Sequence, residues 1–141
     1  MTEAQNKSIV GLLLVFSHFG IIIMIFVFYV LGGFLFDEMT TSIALVAPMF
    51  SLYTTAIFKH FIKRKRKTKA KAELLTKEYI IISLFVPSVF VLFLGTIVVL
   101  KAYNFGLSSF EEFKIMLGVG ESVFGIYIGL VLSSAFDPSQ A

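Results

Sequence analysis

Residues 9–36 read IVGLLLVFSHFGIIIMIFVFYVLGGFLF, a run of 28 residues without a single Asp, Glu, Lys or Arg. An α-helix rises about 1.5 Å per residue, so roughly 20 apolar residues cross the ~30 Å hydrocarbon layer of a bilayer. This run exceeds that length, and it is also far longer than the apolar core of about 7–15 residues in a cleavable signal peptide. We therefore expect a transmembrane helix that stays in the membrane as an anchor.

Three further runs repeat the pattern. Residues 39–58 and 79–100 are uncharged over 20 and 22 positions, and Glu121 is the only charge in the 22 residues of 115–136. Charged residues make up 15% of the chain, against about 25% in soluble domains. The sequence predicts an all-α, polytopic integral membrane protein with four transmembrane helices in two antiparallel hairpins, at about 9–36, 39–58, 79–100 and 110–136.

The chain leaves little room for a second kind of domain. The longest segment outside the four runs, residues 59–78, has 20 residues, and a domain needs about 40 to bury a core of its own. Cysteine is absent, which excludes disulfides, thiolate metal sites and cysteine nucleophiles. No HExxH, GxSxG or phosphate-loop motif occurs. We expect one transmembrane domain over 1–141 that is not an enzyme and has no cofactor or metal.

Basic residues predict the orientation. Nine of the twelve Lys and Arg residues fall within 59–78, and such short basic loops stay in the cytoplasm. An even number of crossings then places both termini in the cytoplasm, with a bacterial inner (plasma) membrane as the expected location. The densest part of this basic inner loop is Lys63, Arg64, Lys65, Arg66, Lys67, Lys69 and Lys71.

The basic inner loop has two interpretations. It can bind the anionic headgroups of the lipid bilayer, or it can act as an orientation signal without any ligand. The second interpretation is favoured over a specific ligand. Because no aromatic residue interleaves with the basic ones between Lys63 and Lys71, the pattern lacks a stacking platform and disfavours a nucleic-acid partner.

The connections on the opposite side are short and acidic. We expect Asp37 or Thr40 to cap the second helix, and Ser109 to accept a hydrogen bond from the backbone N–H of Glu112 at the start of the fourth. Residues 104–106, Asn-Phe-Gly, predict a turn. The carboxylates that form the predicted outer acidic mouth are Asp37, Glu38, Glu111 and Glu112.

Glu121 and His18 are the His or acidic residues inside the four apolar runs, 9–36, 39–58, 79–100 and 115–136. An ionised carboxylate is costly at membrane depth, so Glu121 is expected to be a proton or ion site, or to line a pore, rather than only to orient its helix. Counting residues from the membrane surfaces places His18 within about 6 Å of Glu121 along the membrane normal. We hypothesise that the two pair directly or through water, although a lone His in an apolar helix is more often a packing residue.

Small residues on the fourth helix form a ridge, which consists of Gly118, Ser122, Gly125, Gly129 and Ser133. Lipid provides no hydrophobic drive for helices to associate, so small residues that let backbones approach often mark helix contacts. The α4 ridge, as we call it, is equally compatible with packing inside one subunit and with assembly of a homo-oligomer.

Three classes of function follow. The first is a homo-oligomeric ion-conducting pore or membrane-disrupting effector, with the basic inner loop as gate or signal receiver. The second is a non-conducting adaptor or assembly subunit that binds another membrane protein. The third is a small proton-coupled transporter in which Glu121 exchanges a proton for substrate. The sequence favours the pore.

Overall fold

A computed structural model describes residues 2–66, 76–107 and 109–136, and over these residues the protein is all-α. Four helices follow one another along the chain: α1 (Glu3–Val30), α2 (Phe36–Arg66), α3 (Lys77–Ala102) and α4 (Phe110–Phe136). The prediction of an all-α fold with four helices is confirmed.

The four helices pack as a bundle in which each helix lies beside two others and diagonally opposite the remaining one. Helix α1 packs along α2 and α3, and α4 packs along the same two helices. Helices α1 and α4 therefore occupy opposite corners, as do α2 and α3. Side chains that meet across a diagonal meet near the axis of the bundle.

Local capping explains where three helices begin. Thr2 accepts a hydrogen bond from the Gln5 backbone N–H (3.3 Å), and the Gln5 side chain accepts one from the Thr2 backbone N–H (3.0 Å). Thr76 caps α3 by accepting from the Tyr79 backbone N–H at 3.4 Å. Ser109 accepts from the Glu112 backbone N–H at 3.2 Å, so the bond predicted at the start of α4 is confirmed. Such bonds satisfy N–H groups that have no partner within the helix.

The predicted cap of α2 is wrong. Helix α2 begins at Phe36, and Glu38 accepts from the backbone N–H of Leu35 at 3.0 Å. Thr40 instead donates its hydroxyl to the carbonyls of Phe36 and Asp37, each at 3.1 Å. The helix starts before Asp37, so the acidic residue three positions after Leu35 is the one that can reach back to it.

Three helix ends differ from the sequence prediction by six residues or more. The first is the start of α1, which lies at Glu3 rather than near residue 9. Helix α1 ends at Val30 rather than near 36, because the chain turns at Gly32 with a φ of +83°, which glycine adopts without strain. Helix α2 runs to Arg66, through part of the segment predicted as a loop at 59–78, since Lys and Arg are good helix formers. Between α3 and α4, Asn104 and Gly106 have φ values of 51° and 73°, which confirms the predicted turn.

Two helices are long and apolar enough to cross a membrane over the described residues, namely Ser8–Val30 and Lys77–Ala102. In their most apolar windows only 33% and 22% of the residues are buried within the protein. A core helix of a soluble protein is mostly buried, whereas these helices turn much of their apolar surface outward. This distribution supports a membrane location.

Candidate functional site

His18 of α1 and Glu121 of α4 meet across the diagonal of the bundle. His18 Nε2 lies 3.7 Å from Glu121 Oε2, and the two side chains are 0% and 5% exposed. Both helices present these residues to the interior, although they scarcely pack against each other elsewhere. The structure therefore brings together the two residues that the sequence singled out, on different helices and at one depth.

The hydrogen bonding of His18 fixes which of its ring nitrogens faces Glu121. Nδ1 lies 2.9 Å from the carbonyl oxygen of Leu14, one turn earlier in α1. A carbonyl oxygen only accepts hydrogen bonds, so Nδ1 carries a hydrogen and donates it. In the neutral imidazole, Nε2 then presents its lone pair towards the carboxyl group of Glu121.

This geometry places an acid and a base side by side. Within the described residues, neither carboxyl oxygen of Glu121 accepts a hydrogen bond. A carboxylate beside the lone pair of Nε2 would be a buried charge without compensation, which is strongly unfavourable. One proton on either partner gives an ion pair or two neutral groups, each with zero net charge. The pair thus has the composition of an acid–base site, an imidazole nitrogen facing a carboxyl group.

The other two helices contribute no charge at this depth. Residues 39–58 of α2 and 79–100 of α3 contain no Asp, Glu, Lys, Arg or His. Aromatic rings cover one side of the pair: the Phe124 ring stacks on the His18 ring with centroids 6.0 Å apart, and on the Phe90 ring at 3.8 Å. The His18–Glu121 pair is therefore flanked by apolar side chains.

Two more polar contacts mark the ends of the bundle. At one end, which we call the Asn6 end, Asn6 Nδ2 donates to Ser83 Oγ at 2.8 Å, and both side chains are buried. At the other, the Lys101 end, Lys101 Nζ lies 3.1 Å from Glu38 Oε1 and 5.6 Å from the centroid of the Phe34 ring. The sequence analysis did not single out Asn6, Ser83 or Lys101 as paired residues. A polar residue at the edge of an apolar run was the available signal.

The predicted outer acidic mouth is not a set of four equivalent carboxylates. Glu38 is paired with Lys101, and Glu111 forms an exposed ion pair with Lys114 at 2.8 Å. Asp37 and Glu112 are exposed. Two of the four predicted residues thus have lysine partners that offset their charge, which reduces the attraction of this surface for cations.

The α4 ridge divides between the interior and the exterior. A Cβ atom at Gly125 would collide with the Cε atom of Met49 on α2, whereas one at Gly118 or Gly129 would meet no atom within 4 Å. Ser122 is exposed, and its hydroxyl donates to the Gly118 carbonyl at 2.8 Å. Gly125 therefore serves packing within the subunit. Ser133 lies on the backbone of α4, and its side chain is outside the described part.

The basic inner loop is described only in part. The backbone of Lys63, Arg64, Lys65 and Arg66 continues α2. The remaining basic residues of the prediction, Lys67, Lys69 and Lys71, lie outside the described residues. Among the described residues, no group of three or more His, Cys, Asp or Glu side chains is placed to hold a metal ion.

Comparison of the chain with protein-family models, with curated proteins and with solved structures finds no match. The arrangement of its own residues is therefore the basis on which a function can be assigned. Its most distinctive chemical feature is the buried His18–Glu121 pair.

Proposed function

We propose that the chain crosses the bilayer four times, with both termini in the cytoplasm of a bacterial cell and the protein in its inner (plasma) membrane. The length of α2 and α4 and the concentration of Lys and Arg between α2 and α3 support this topology. The Asn6 end then faces the cytoplasm and the Lys101 end faces outward.

Single cysteines test this topology without background, because the native chain contains none. Phe105→Cys, between α3 and α4, is expected to react with a membrane-impermeant maleimide in intact cells. Lys65→Cys is expected to react only after the membrane is permeabilised. The opposite labelling pattern would invert the topology, and labelling of both sites in intact cells would contradict the four spans.

We propose that the protein carries out proton-dependent ion translocation, with the His18–Glu121 pair as its proton-binding site. The observation that supports this proposal is a buried acid–base pair, 3.7 Å apart, at a level of the bundle where α2 and α3 contribute no charged residue. Ionisable residues at membrane depth are costly and typically belong to proton or ion pathways. A structural contact alone would be made at lower cost by apolar packing.

The direction in which Glu121 points favours a proton-coupled transporter over a pore lined by Glu121. A ring of carboxylates between copies requires side chains on the outside of each bundle. Glu121 is instead 4% exposed and faces His18 of its own chain. A proton taken up by the pair changes the interaction between α1 and α4 within one subunit, which is the element that a coupled conformational change needs.

Flux measurements in liposomes test this function. With a pH gradient across the membrane, the wild-type protein is expected to carry a proton flux that Glu121→Gln abolishes. Glu111→Gln on the same helix is the matched control, since Glu111 is exposed and lies outside the bundle interior. Equal flux in the wild type and Glu121→Gln would refute the assignment of the proton site. A complete absence of flux in all three proteins would instead favour the adaptor class.

The homo-oligomeric pore or membrane-disrupting effector is the second candidate. The exposed part of the α4 ridge, with Ser122 exposed and open space beside Gly118 and Gly129, supports it. In that case the pair would control a pore between copies. Unitary currents in planar bilayers, together with a closed oligomer in nanodiscs, would establish the pore. Proton flux without unitary currents would establish the transporter.

A further inference from the structure

Two turns at the Lys101 end of the bundle carry large apolar side chains that point outward. Residues 31–35 connect α1 to α2, and residues 103–107 begin the connection from α3 to α4. Loops that project into water are usually built from Gly, Pro, Asn, Asp and Ser. In or beside these turns, by contrast, five large apolar or aromatic side chains are between 60% and 72% exposed. This set, which we call the apolar rim, consists of Leu31, Leu35, Phe36, Tyr103 and Phe105.

The first turn is fixed against the bundle in a way that keeps its part of the rim outside. Phe34 is buried, and its ring packs edge-to-face on the Phe113 ring with centroids 5.6 Å apart. Gly33 lies so close to Ala102 that a Cβ atom on Gly33 would be 2.9 Å from the Ala102 carbonyl oxygen. Because these contacts occupy the interior of the turn, the neighbouring side chain of Leu35 is held on the surface.

Charged side chains lie close to the apolar rim. Asp37, Glu111 and Glu112 are exposed at the same end of the bundle. Carboxylates are costly in the hydrocarbon core of a bilayer, and exposed apolar side chains are unfavourable in water. The mixture therefore fits the boundary between the two, where water and headgroups solvate charges while aromatic and apolar side chains lie at the level of the headgroups.

From this composition we propose that the apolar rim is a lipid-binding surface that anchors both turns in the interfacial layer of the outer leaflet. The rim continues the exposed apolar surfaces of α1 and α3, which are long enough to cross the bilayer. Carboxylates beside the rim are not attracted to anionic headgroups, so the partner is a neutral lipid such as phosphatidylcholine. Because the interfacial layer is hydrated, a cysteine at Phe105 stays within reach of a reagent in water.

An anchor at this level also sets the depth of the His18–Glu121 pair. Val30, at the end of α1, follows His18 by twelve residues, and Phe110, at the start of α4, precedes Glu121 by eleven. At about 1.5 Å per residue these spacings correspond to about 18 Å and about 16 Å. Half of the hydrocarbon layer is about 15 Å thick, so the pair lies near the middle of the bilayer. The inference rests on the proposed topology, since it concerns where the membrane surface meets the bundle.

Single tryptophans test the anchor without background, because the native chain contains no Trp. Phe36→Trp and Phe105→Trp each report on one turn. Phe16→Trp on α1 and Val123→Trp on α4 report on the level of the pair, since each lies two residues from one of its members and the native side chains are 68% and 62% exposed. Each full-length variant is reconstituted in phosphatidylcholine vesicles whose acyl chains carry bromine either close to the headgroup or close to the chain end. Circular dichroism establishes that each variant is folded.

The two turn variants are expected to lose more fluorescence to the shallow bromines than to the deep ones, and Phe16→Trp and Val123→Trp are expected to show the reverse order. Turn tryptophans that aqueous iodide quenches and bromine does not would overturn the anchor. Turn tryptophans that neither quencher reaches would also overturn it, and would indicate a second copy that covers the rim. Both results leave the topology intact if deep bromines quench Phe16→Trp or Val123→Trp. If bromine quenches neither of these, the four-span topology itself is wrong.

Discussion

Lys101 of α3 and Glu38 of α2 form an ion pair with Nζ and Oε1 3.1 Å apart, although their helices occupy opposite corners of the bundle. The His18–Glu121 pair crosses the other diagonal. Each diagonal is thus bridged by a basic side chain, Lys101 or His18, that faces a carboxyl group. The two bridges lie at different levels along the bundle axis. Packing between adjacent helices is therefore supplemented by two polar contacts between helices that lie diagonally opposite each other.

Removal of the lysine at the Lys101 end is expected to destabilise the protein. Lys101→Met leaves the largely buried carboxylate of Glu38 without its partner, which typically costs about 3 kcal/mol for a buried pair. Lys114→Met is the control, because its pair with Glu111 is exposed and worth at most about 1 kcal/mol. Unfolding in a mixed-detergent titration measures both. Equal losses would show that burial adds nothing to the Lys101 pair.

The effects of changing His18 and Glu121 are expected to depend on each other. His18→Ala and Glu121→Gln each disrupt the pair, so the double variant loses less than the sum of the two losses, by about 1 kcal/mol. The same detergent titration measures this coupling. His18→Ala combined with Glu111→Gln is the control and is expected to be additive, because those residues make no contact. Additive losses for His18 and Glu121 would show that the two residues do not interact.

Gly33 is expected to tolerate no side chain. A Cβ atom there would lie 2.9 Å from the carbonyl oxygen of Ala102, so Gly33→Ala forces the first turn away from the end of α3. We expect a loss of about 1–3 kcal/mol, as for other overpacked sites. Gly20→Ala meets no atom within 4 Å, and it is expected to gain up to about 1 kcal/mol from helix propensity. Thermal unfolding followed by circular dichroism compares them, and a stable Gly33→Ala would refute the close approach.

Substitutions at two glycines of the α4 ridge, Gly125 and Gly129, are expected to have different effects on stability. Gly125→Ile destabilises the single bundle, since its side chain displaces Met49, whereas Gly129→Ile leaves the bundle stable because the space there is open. If copies assemble through the exposed ridge, Gly129→Ile also dissociates them. Unfolding measurements and light scattering in detergent make the comparison. Equal destabilisation by both changes would contradict the division of the ridge into interior and exterior parts.

Much of the fold can be predicted from the sequence because each long uncharged run predicts a helix independently of the other runs. Each long uncharged run makes a helix wherever it lies, so four helices and the Ser109 cap could be predicted without knowledge of their neighbours. The start of α2 could not, because it depends on a turn at Gly32 that shifts the first helical residue ahead of Asp37. Likewise, the end of α2 at Arg66 is not marked by its uncharged run, because the helix continues into the Lys and Arg residues that follow the run.

The candidate site was predictable in its members but not in its geometry. Counting residues gives a depth for His18 and Glu121, and similar depths make a contact plausible. Whether two helices turn those residues towards each other depends on how all four pack. The same limit explains Lys101 and Asn6, whose partners Glu38 and Ser83 are set by the diagonal and neighbouring contacts of the bundle. A linear pattern contains no such information.

Three polar contacts between helices in the described part of the chain, Asn6–Ser83, His18–Glu121 and Glu38–Lys101, each join a residue before the segment 67–75 to a residue after it. During synthesis the ribosome therefore releases a first hairpin whose amide, imidazole and carboxylate all await groups that have not yet been translated. Hairpins from two different chains could satisfy those groups as readily as hairpins from one. How soon the two halves of one chain meet thus influences whether folding yields single bundles or exchanged ones.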